Sequence, residues 1–526
     1  MLSILKRIPA WLVTGLLCGL AWPSFPNLPS GVLAWFGFVP LLLSLQKAKN
    51  FKSYFLQTYS ACILMNWGIG WWTGYYGWEA FAVVTLFQVM IVWLPFGVLY
   101  FLQKRVGWQN GLVCLPFIWT SSEWLTLHLE HNLQVTALAY SQSPFTWLVQ
   151  FADTTGMWGI SFWVMGLNVL LTLVIGHYRN NRTYILTTLS SIVVYIALPI
   201  LYSTWVIGTE NGIEGNRKAE VALVQTNQDS YAGDYKGHVD DMLKELFNLS
   251  DSAARQKPQP DLIVLPEGAL PFPLFKDSVL FRSMRQTVAN WGTSVAVGYT
   301  NIPDSTQKFY ENNTLVFTPQ MTQQWDSLHL QPSDIKVYQK QEGLPFVEFM
   351  PYVELFTDKA VVPPKRNAAI RFGHEPYSFS FPDAKGEVVK TVASVCWEQM
   401  FPEIIAGLVR EDADFISFMM NDGWFGRSPG ARQLTSYTRL RAIENRRSVA
   451  RCSNTGISCF IDPYGRITKA LPWHVSTIGM QTVQCNRALS FYTEHGAWLP
   501  KLCIGLLSLV LAGSWLLRKN KFKSII

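Results

Sequence analysis

Eight long apolar runs dominate the pattern of hydrophobic and polar residues along the chain. Seven lie within residues 8–207 and one lies near the C-terminus, and Trp, Tyr and Phe are concentrated at their ends. A helix needs about 20 apolar residues to cross the hydrocarbon core of a membrane. The pattern therefore predicts a membrane-embedded helical bundle of eight spans, of which the second and fifth are short. The approximate ranges are 8–24, 31–46, 54–75, 80–102, 110–127, 158–177, 184–207 and 499–517.

Residues 208–498 have a different pattern, in which short strand-like runs bounded by turn residues alternate with helix-like runs. The strand-like runs are 219–227, 261–267, 294–300, 313–319, 388–397, 414–421, 448–454 and 456–463, and the helix-like runs are 236–254, 276–291, 400–411 and 430–447. Alternation of this kind is typical of a layered α/β fold. We therefore expect three parts: a seven-span region over 1–207, an α/β domain over 208–498, and a final span with a tail over 499–526.

One stretch of the polar domain, 342–375, fits neither the strand nor the helix pattern. It contains four prolines and several aromatic residues, including Phe346, Phe349, Tyr352 and Phe356. Long irregular segments are often lids over functional sites. We interpret 342–375 as a lid, and the alternative is an ordinary surface excursion.

Composition supports the membrane interpretation. Of 526 residues, 49% are hydrophobic and only 15% are charged, against about a quarter charged in a typical soluble chain.

The first apolar run follows Lys6 and Arg7 like a signal peptide, but it ends in Ala21-Trp22-Pro23 without a small-residue cleavage pattern. We therefore expect an uncleaved first span.

The net charge of +7 has an uneven distribution that predicts topology rather than nucleic-acid binding. Lys and Arg occupy alternate loops near 47–52, 104–105 and 179–182 and the two termini, whereas the loops near 25–30, 76–79 and 128–157 have none. Cytoplasmic loops of membrane proteins carry the excess of Lys and Arg. Both termini are thus predicted in the cytoplasm and 208–498 outside, with the loop 128–157 at the outer surface. A basic stripe with base-stacking aromatics is absent from the sequence, so no nucleic-acid partner is expected.

Two further features leave alternatives open. Eight cysteines are scattered without metal-ligand spacing, so no metal site is expected, and Cys452 and Cys459 are interpreted as either a disulfide or two buried thiols. Glu123 lies inside a predicted span. It is either a functional intramembrane carboxylate or a group that reaches water at the outer end of its helix.

Three residues at the ends of strand-like runs or in polar loops form the candidate chemistry. Glu267 follows one strand-like run, Cys396 ends another, and Lys340 lies between them in the sequence. Alone, each has an ordinary structural explanation. Together they provide a base for a thiol proton, a cation for an oxyanion and a nucleophile. A strand-to-helix corner beside a cation also predicts a lowered pKa for Cys396.

The order Glu–Lys–Cys on separate strand-end motifs, "LPEGALP", "YQKQEGLPFVEFMP" and "SVCWEQMFPE", is similar to the nitrilase, or carbon–nitrogen hydrolase, superfamily. With the eight-span frame, the whole chain resembles the apolipoprotein N-acyltransferase family. The resemblance implies an αββα sandwich with Glu267 as general base, Lys340 as the oxyanion-stabilising cation and Cys396 as nucleophile. Glu348 would position the lysine, and Glu398 would be a supporting acid.

Three more segments, "NDGWFG", "RLRAIENRR" and "RCSNTGISCFIDPYG", also resemble that family, and imply that Asn421, Trp424 and Asn454 line or brace the site. The chain departs from the family pattern at two positions, with Gly268 after the first Glu and Val347 before the second. An aromatic residue that the family has after its first domain strand is matched only loosely, by Tyr231 or Tyr235.

The resemblance implies a bacterial inner-membrane enzyme with its catalytic domain on the periplasmic side and no cofactor. Cys396 would take a fatty acyl group from a phospholipid as a thioester and pass it to the N-terminal amine of a diacylglyceryl-cysteine on an apolipoprotein. Membrane lipid is thus an expected partner. The alternatives are a membrane-tethered amidase acting on soluble amides and a non-enzymatic lipid-binding or scaffold protein.

Overall fold

The structure is a computed structural model that describes residues 8–25, 28–75, 77–177, 182–213, 215, 217–228, 239–302, 309–352 and 369–523. The chain divides into two compact units. Met1–Asn211 and His495–Ile526 form one, here named the helical unit, and Gly212–Glu494 form the other, named the α/β unit. Tyr231, Tyr235 and the central part of the expected lid, 353–368, lie outside the described residues.

The first part of the helical unit contains a helix within each of the seven predicted spans. Its α-helices are α1 Ala10–Leu20, α2 Val39–Leu45, α3 Phe51–Gly70, α4 Trp78–Val106, α5 Trp108–Val113, α6 Leu115–Leu127, α7 Ala152–Thr155, α8 Met157–His177 and α9 Arg182–Gly208. The predicted second span consists of a 3-10 turn, Ser30–Trp35, followed by α2, and the fifth is interrupted between α5 and α6.

By length and composition, four helices of the described chain are long and apolar enough to cross a membrane. They are Thr85–Val106, Met157–Gly176, Ile185–Gly208 and Trp498–Trp515, while Ala10–Leu20 and Ser30–Leu45 are shorter apolar helices. The structure thus supports a protein with membrane-spanning helices.

The segment 128–157, which the sequence predicts as a loop on the outer side of the membrane, is largely buried within the helical unit. Side chains satisfy its irregular backbone and tie it to the helices: the indole Nε1 of Trp22 donates to Val135 O at 2.9 Å, and the Glu123 carboxylate accepts from Leu138 N at 2.9 Å. Glu123 also accepts from Trp119 Nε1 at 2.7 Å. Non-helical backbone at membrane depth is stable only when its polar groups are paired in this way.

The α/β unit contains two β-sheets within its described residues. The strands are β1 Lys218–Gln225, β2 Leu262–Val264, β3 Ser294–Asn301, β4 Phe309–Phe317, β5 Tyr338–Gln339, β6 Ala369–Ile370, β7 Phe379–Pro382, β8 Val388–Val395, β9 Phe415–Met420, β10 Val449–Ser453, β11 Cys459–Ile461, β12 Ile467–Ala470 and β13 Thr477–Gln484. The first sheet has the order β13-β1-β2-β3-β4-β5, with β6 paired to β4, and the second has the order β12-β11-β10-β9-β8-β7. Strands β1, β2 and β3 run parallel, as do β8, β9 and β10.

The two sheets pack face to face, with β1 against β10 and β4 against β8. Cys452 Sγ on β10 donates to Val224 O on β1 at 3.2 Å, and Thr314 Oγ1 on β4 donates to Ala393 O on β8 at 3.0 Å. Cys452 and Cys459 are buried free thiols, so the disulfide alternative does not apply to this structure.

Helices cover the outer faces of the sandwich. They are α10 Val239–Ala254, α11 Ser278–Trp291, α12 Met321–Ser327, α13 Pro402–Val409, α14 Gly430–Asn445 and α15 Phe491–His495. Helix α10 packs on β1 and β13, and α13 packs on β8. The chain then returns to the helical unit in α16 Trp498–Lys523, which packs against α6.

Each of the eight strand-like runs contains a strand, and each of the four helix-like runs contains a helix. Five strands, β5, β6, β7, β12 and β13, were not predicted from the sequence pattern. They are short or lie at the edges of the sheets. Edge strands are less buried, so they lack the apolar signal of the central strands.

Candidate active site

The candidate residues meet where the parallel strands of both sheets end. Asn454, just after β10, accepts a hydrogen bond at Oδ1 from Thr226 Oγ1, just after β1, at 2.8 Å. The carboxyl ends of β1 and β2 in one sheet therefore lie at the same edge as those of β8, β9 and β10 in the other. Ligand and catalytic sites commonly form at this edge of parallel sheets.

Lys340 is the centre of the site and is fully buried. Its backbone N–H donates to Asn312 O at 2.9 Å, which fixes the residue beside β4. Its Nζ donates to Glu267 Oε1 at 3.2 Å and to Glu348 Oε1 and Oε2 at 2.8 and 3.0 Å. Burial alone lowers the pKa of a lysine, but the two carboxylates outweigh burial and raise the pKa of Lys340 well above its usual value. Lys340 is therefore a fixed cation.

Glu267 lies in a turn beyond β2, and its side chain is 10% exposed. Asn312 Nδ2 donates to its Oε1 at 2.7 Å, beside the bond from Lys340. Among the described contacts both hydrogen bonds end on Oε1, and none ends on Oε2. Gly268 follows with φ of +64°, a conformation that glycine adopts without strain, so the departure from the family pattern suits this turn.

Glu348 faces Lys340 from the expected lid segment. Its Oε2 also accepts from Leu344 N at 2.7 Å, so a one-turn loop closes around the carboxylate. Within the expected lid 342–375, the backbone of the described residues 342–352 and 371–375 is irregular. The ring of Phe349 packs edge-on against Phe372 with centroids 5.4 Å apart, which joins the two flanks of the segment.

Cys396 directly follows β8 and begins a 3-10 helix, Cys396–Met400, with φ of +49°. Positive φ is uncommon for a residue other than glycine and often marks a functional position. The side chain is partly buried. Burial, together with the charge of Glu267, raises the pKa of the thiol well above its usual value, although Lys340 acts in the opposite direction. The expectation of a lowered pKa is therefore wrong, because desolvation and carboxylates exceed the effect of the single cation. The raised pKa favours the thiol over the thiolate.

Glu398 joins the cysteine segment to the lysine segment and is fully buried. Its Oε1 accepts from Tyr338 OH and Gln341 N at 2.5 and 2.6 Å, and its Oε2 accepts from Ser394 Oγ and Val395 N at 2.9 and 2.7 Å. Burial raises the pKa of Glu398, and these donors partly oppose that rise. The carboxylate holds the residues next to Cys396 and Lys340 in one arrangement.

The remaining predicted residues lie on the loops after β9 and β10. Asn454 Nδ2 donates to Gln228 O at 2.9 Å and approaches Asn421 Oδ1 at 3.4 Å. Trp424 lies partly buried in the 3-10 turn Asp422–Phe425 that follows Asn421. The hydrogen bonds of Asn454 thus hold the loops at this edge of the sheets together. Trp424 lies on the adjacent turn Asp422–Phe425.

Sequence reasoning missed three residues of this edge: Asn312, Asp422 and Arg451. Asp422 accepts a bidentate pair from Arg451, with Nη1···Oδ2 at 2.8 Å and Nη2···Oδ1 at 3.0 Å, and both side chains are fully buried. Asp422 is also among the carboxylates that raise the pKa of Cys396. A signal was present, because Asp422 and Arg451 belong to the motifs "NDGWFG" and "RCSN".

Glu267, Lys340, Glu348 and Cys396 are named the reactive cluster below. The described residues contain no group of three His, Cys, Asp or Glu side chains that could hold a metal ion. The reactive cluster itself contains two carboxylates, an ammonium group and a thiol, which are acid–base and nucleophilic groups.

Two protein families match different parts of the chain, one in the α/β unit and one in the helical unit. The carbon–nitrogen hydrolase family matches residues 220–491, and the apolipoprotein N-acyltransferase N-terminal domain matches residues 14–170. The apolipoprotein N-acyltransferase of Chlorobaculum tepidum is 30% identical over 505 residues, covering 94% of each chain. The chain belongs to the apolipoprotein N-acyltransferase family. The enzyme of the same name from Geobacter metallireducens is 27% identical over 516 residues, covering 94% of this chain and 92% of its own.

Solved structures with similarity to this apolipoprotein N-acyltransferase family member match about half of it. An amidase from Nesterenkonia sp. AN1 is 15% identical with a TM-score of 0.36, covering 54% of this chain and 95% of its own. Nit3 of Saccharomyces cerevisiae is 17% identical with a TM-score of 0.35, covering 55% and 97%. The nitrilase-like fold of the α/β unit rests on the family match and on its two sheets.

Proposed function

We propose that this chain transfers a fatty acyl group from a phospholipid, through a thioester on Cys396, to the N-terminal amine of the diacylglyceryl-cysteine of apolipoproteins. The observation that carries the proposal is the reactive cluster, in which a buried lysine is held by two carboxylates beside a cysteine thiol, in a chain of this family.

The first half-reaction begins with the thiol. Because the pKa of Cys396 is raised, Glu267 takes the proton as the sulfur attacks the ester carbonyl. Lys340 Nζ stabilises the oxyanion of the tetrahedral intermediate. When the intermediate collapses, the departing alkoxide takes the proton back from Glu267 and leaves as lysophospholipid.

In the second half-reaction the free amine of the acceptor attacks the thioester. Glu267 receives the proton that the nitrogen loses and passes it to the thiolate of Cys396 as the thiolate leaves, so the resting thiol and carboxylate are restored. Glu348 keeps Lys340 in place through both steps, and Glu398 keeps the segments of Lys340 and Cys396 together. Asn421, Trp424 and Asn454 support the loops at the edge. Ping-pong kinetics follow from this scheme.

The topology belongs to the same proposal. We infer eight spans, seven over 1–207 and one within 499–526, with the catalytic domain 208–498 on the periplasmic side of the bacterial inner membrane. The exposed cations Lys49, Lys52, Lys104 and Arg105 support the orientation through the positive-inside rule. The segment 342–375 would act as a lid that keeps water from the thioester.

Intact-mass analysis tests the chemistry. The purified full chain is incubated with a phospholipid of defined acyl chains and no acceptor. We expect a mass increase equal to one fatty acyl group, absent in Cys396→Ala. An adduct that forms only from small soluble amides would overturn the proposal in favour of a membrane-tethered amidase.

Labelling tests the topology. A cysteine is introduced at exposed Asp412 in the α/β unit or at exposed Lys49 in the helical unit, both in a Cys396→Ala background. An impermeant maleimide added outside intact spheroplasts should label Asp412→Cys and leave Lys49→Cys unlabelled. The reverse pattern contradicts the orientation.

A further inference from the structure

Four side chains outside the reactive cluster form a positively charged aromatic patch. They are Arg427, Arg432, Trp473 and His474, named here the basic–aromatic cluster. The guanidinium carbon of Arg432 lies 5.3 Å from the ring centroid of Trp473, and the rings of Trp473 and His474 stack at 4.9 Å with an angle of 18°.

The cluster holds positive charge without a counter-charge among the described residues. Neither Arg427 nor Arg432 pairs with a carboxylate in the described part of the chain, and both are exposed. The Nε2 atom of His474 is enclosed and makes no hydrogen bond within the same residues. Burial and then the charge of Arg427 lower the pKa of His474, so the two groups are close enough to repel when the imidazole is protonated. A bound anion would relieve this repulsion.

The cluster lies at the same edge of the sandwich as the reactive cluster. The amide Nε2 of Gln225, the last residue of β1, donates to Pro472 O and Val475 O at 2.7 Å each, which holds the loop of Trp473 and His474 at the carboxyl end of β1. Ser476 Oγ donates to Thr226 O at 2.9 Å and strengthens this attachment.

Both arginines are placed by the chain that leaves β9. Arg427 comes two residues after the turn Asp422–Phe425, and Arg432 is in the first turn of the 16-residue helix α14, whose N-cap makes no side-chain hydrogen bond. The partial positive charge of that helix end adds to the two guanidinium groups. Guanidinium groups bind phosphate through paired, charge-assisted hydrogen bonds.

We propose that the basic–aromatic cluster is a phosphate subsite that binds the phosphodiester of the phospholipid donor while the donor's acyl ester lies at Cys396. This assignment rests on the proposed function. The ligand chemistry is a phosphate group, and its source is the lipid headgroup.

Binding to the full chain in detergent micelles tests the subsite without requiring turnover. Native mass spectrometry measures the affinity for phosphatidylglycerol and for diacylglycerol with the same acyl chains, in a Cys396→Ala background that cannot consume the donor. The test variant is Arg427→Gln/Arg432→Gln. The control is Arg282→Gln/Lys336→Gln, which removes the same charge from exposed positions elsewhere in the α/β unit.

We expect the test variant to bind phosphatidylglycerol roughly a hundredfold more weakly, since it loses one charge-assisted hydrogen bond or more per arginine and each costs a factor of about ten. Diacylglycerol binding should not change, and the control should match the parent. Inorganic phosphate should displace phosphatidylglycerol from the parent. Unchanged phosphatidylglycerol affinity in the test variant overturns the subsite.

Two further measurements distinguish failure of the phosphate subsite from failure of the proposed function. If inorganic phosphate binds in an arginine-dependent way but phosphatidylglycerol does not, the lipid assignment is overturned in favour of free phosphate. In the enzyme with Cys396 intact, the test variant should raise KM for the donor and leave kcat close to the parental value. If the parent transfers no acyl group and phosphatidylglycerol binding still depends on the arginines, the proposed function fails and the subsite stands.

Discussion

Asp414 precedes strand β9 and Asp422 follows it, so the two carboxylates mark the amino and carboxyl edges of one sheet. Each is about 1% exposed, and each binds an arginine through two oxygens. Asp414 accepts from Arg487 Nε and Nη2 at 2.9 and 3.2 Å, and Asp422 accepts from Arg451 Nη1 and Nη2 at 2.8 and 3.0 Å. The arginines differ, since the Arg487 side chain is 49% exposed and that of Arg451 is fully buried.

The difference in exposure decides what each ion pair does to its surroundings. Solvent screens the pair at the amino edge, so its contribution to stability is small. The enclosed pair at the carboxyl edge acts on its neighbours through a low dielectric, and Asp422 is among the groups that raise the pKa of Cys396. Similar bonds therefore contribute little to stability at the amino edge and raise the pKa of a thiol at the carboxyl edge.

The largest effect should come from the nucleophile at the carboxyl edge. We expect Cys396→Ser to lower the rate of acyl transfer by about 10⁶-fold, because a serine hydroxyl is far harder to ionise than a thiol. Cys452→Ser, at a buried thiol that donates to Val224 O, is the matched control and should remain active. Acyl transfer assays on both variants check this, and substantial turnover by Cys396→Ser would falsify the thioester mechanism.

Removal of the central cation should be the next largest effect. Lys340→Met leaves Glu267 and Glu348 without the lysine between them, so we expect a loss of stability of about 3–5 kcal/mol and at least a 10³-fold lower rate. Arg487→Met removes a half-exposed cation from the amino edge and should cost less than about 1 kcal/mol. Thermal unfolding and activity per folded molecule compare the two, and equal losses would contradict the distinction between the edges.

A smaller effect is expected at the carboxylate that holds the lysine. Glu348→Gln keeps the shape of the side chain but removes one of the two charges that raise the pKa of Lys340. We expect about a hundredfold lower kcat from the misplaced ammonium group. Glu387→Gln, at an exposed ion pair with Arg217, is the control and should leave kcat unchanged. A parental kcat in Glu348→Gln would show that Glu267 alone positions Lys340.

The smallest effect is expected at Asp422, and it directly tests the comparison between Asp414 and Asp422. Asp422→Asn removes a charge that raises the pKa of Cys396, so that pKa should fall and alkylation of the thiol should reach half its maximal rate at a lower pH. Asp414→Asn should leave the alkylation profile of Cys396 in place. Identical profiles in the two variants would mean that Asp422 has no electrostatic role at the thiol.

The central strands were predictable because each has a local signal, and β2 and β9 are continuous apolar runs. Glu267, Lys340 and Cys396 have no such signal singly, and it was their order along the chain and the family resemblance that singled them out. The edge strand β12 has only exposed residues, so no apolar pattern could indicate it. The pairing of Asp422 with Arg451 joins the turn after β9 to strand β10, 29 residues along the chain, and neither motif indicates its partner.

The burial of polar side chains in 128–157 and the direction of the pKa shift of Cys396 could not be read from the sequence, because both depend on tertiary packing. Gln88 and Thr136, for example, are polar residues that are buried and bond to each other at 2.7 Å. The cation beside Cys396 was evident in the sequence, but the burial of the thiol and the carboxylates around it depend on tertiary packing.

Glu398 has a consequence for when the chemistry becomes available. Its two oxygens bind Tyr338 and Gln341 beside the first sheet and Ser394 and Val395 on the second, so the lysine and the cysteine come into register only when both sheets have docked. Glu398 therefore links the packing of the two sheets to the placement of Lys340 near Cys396, and a chain in which only one sheet has formed lacks that arrangement.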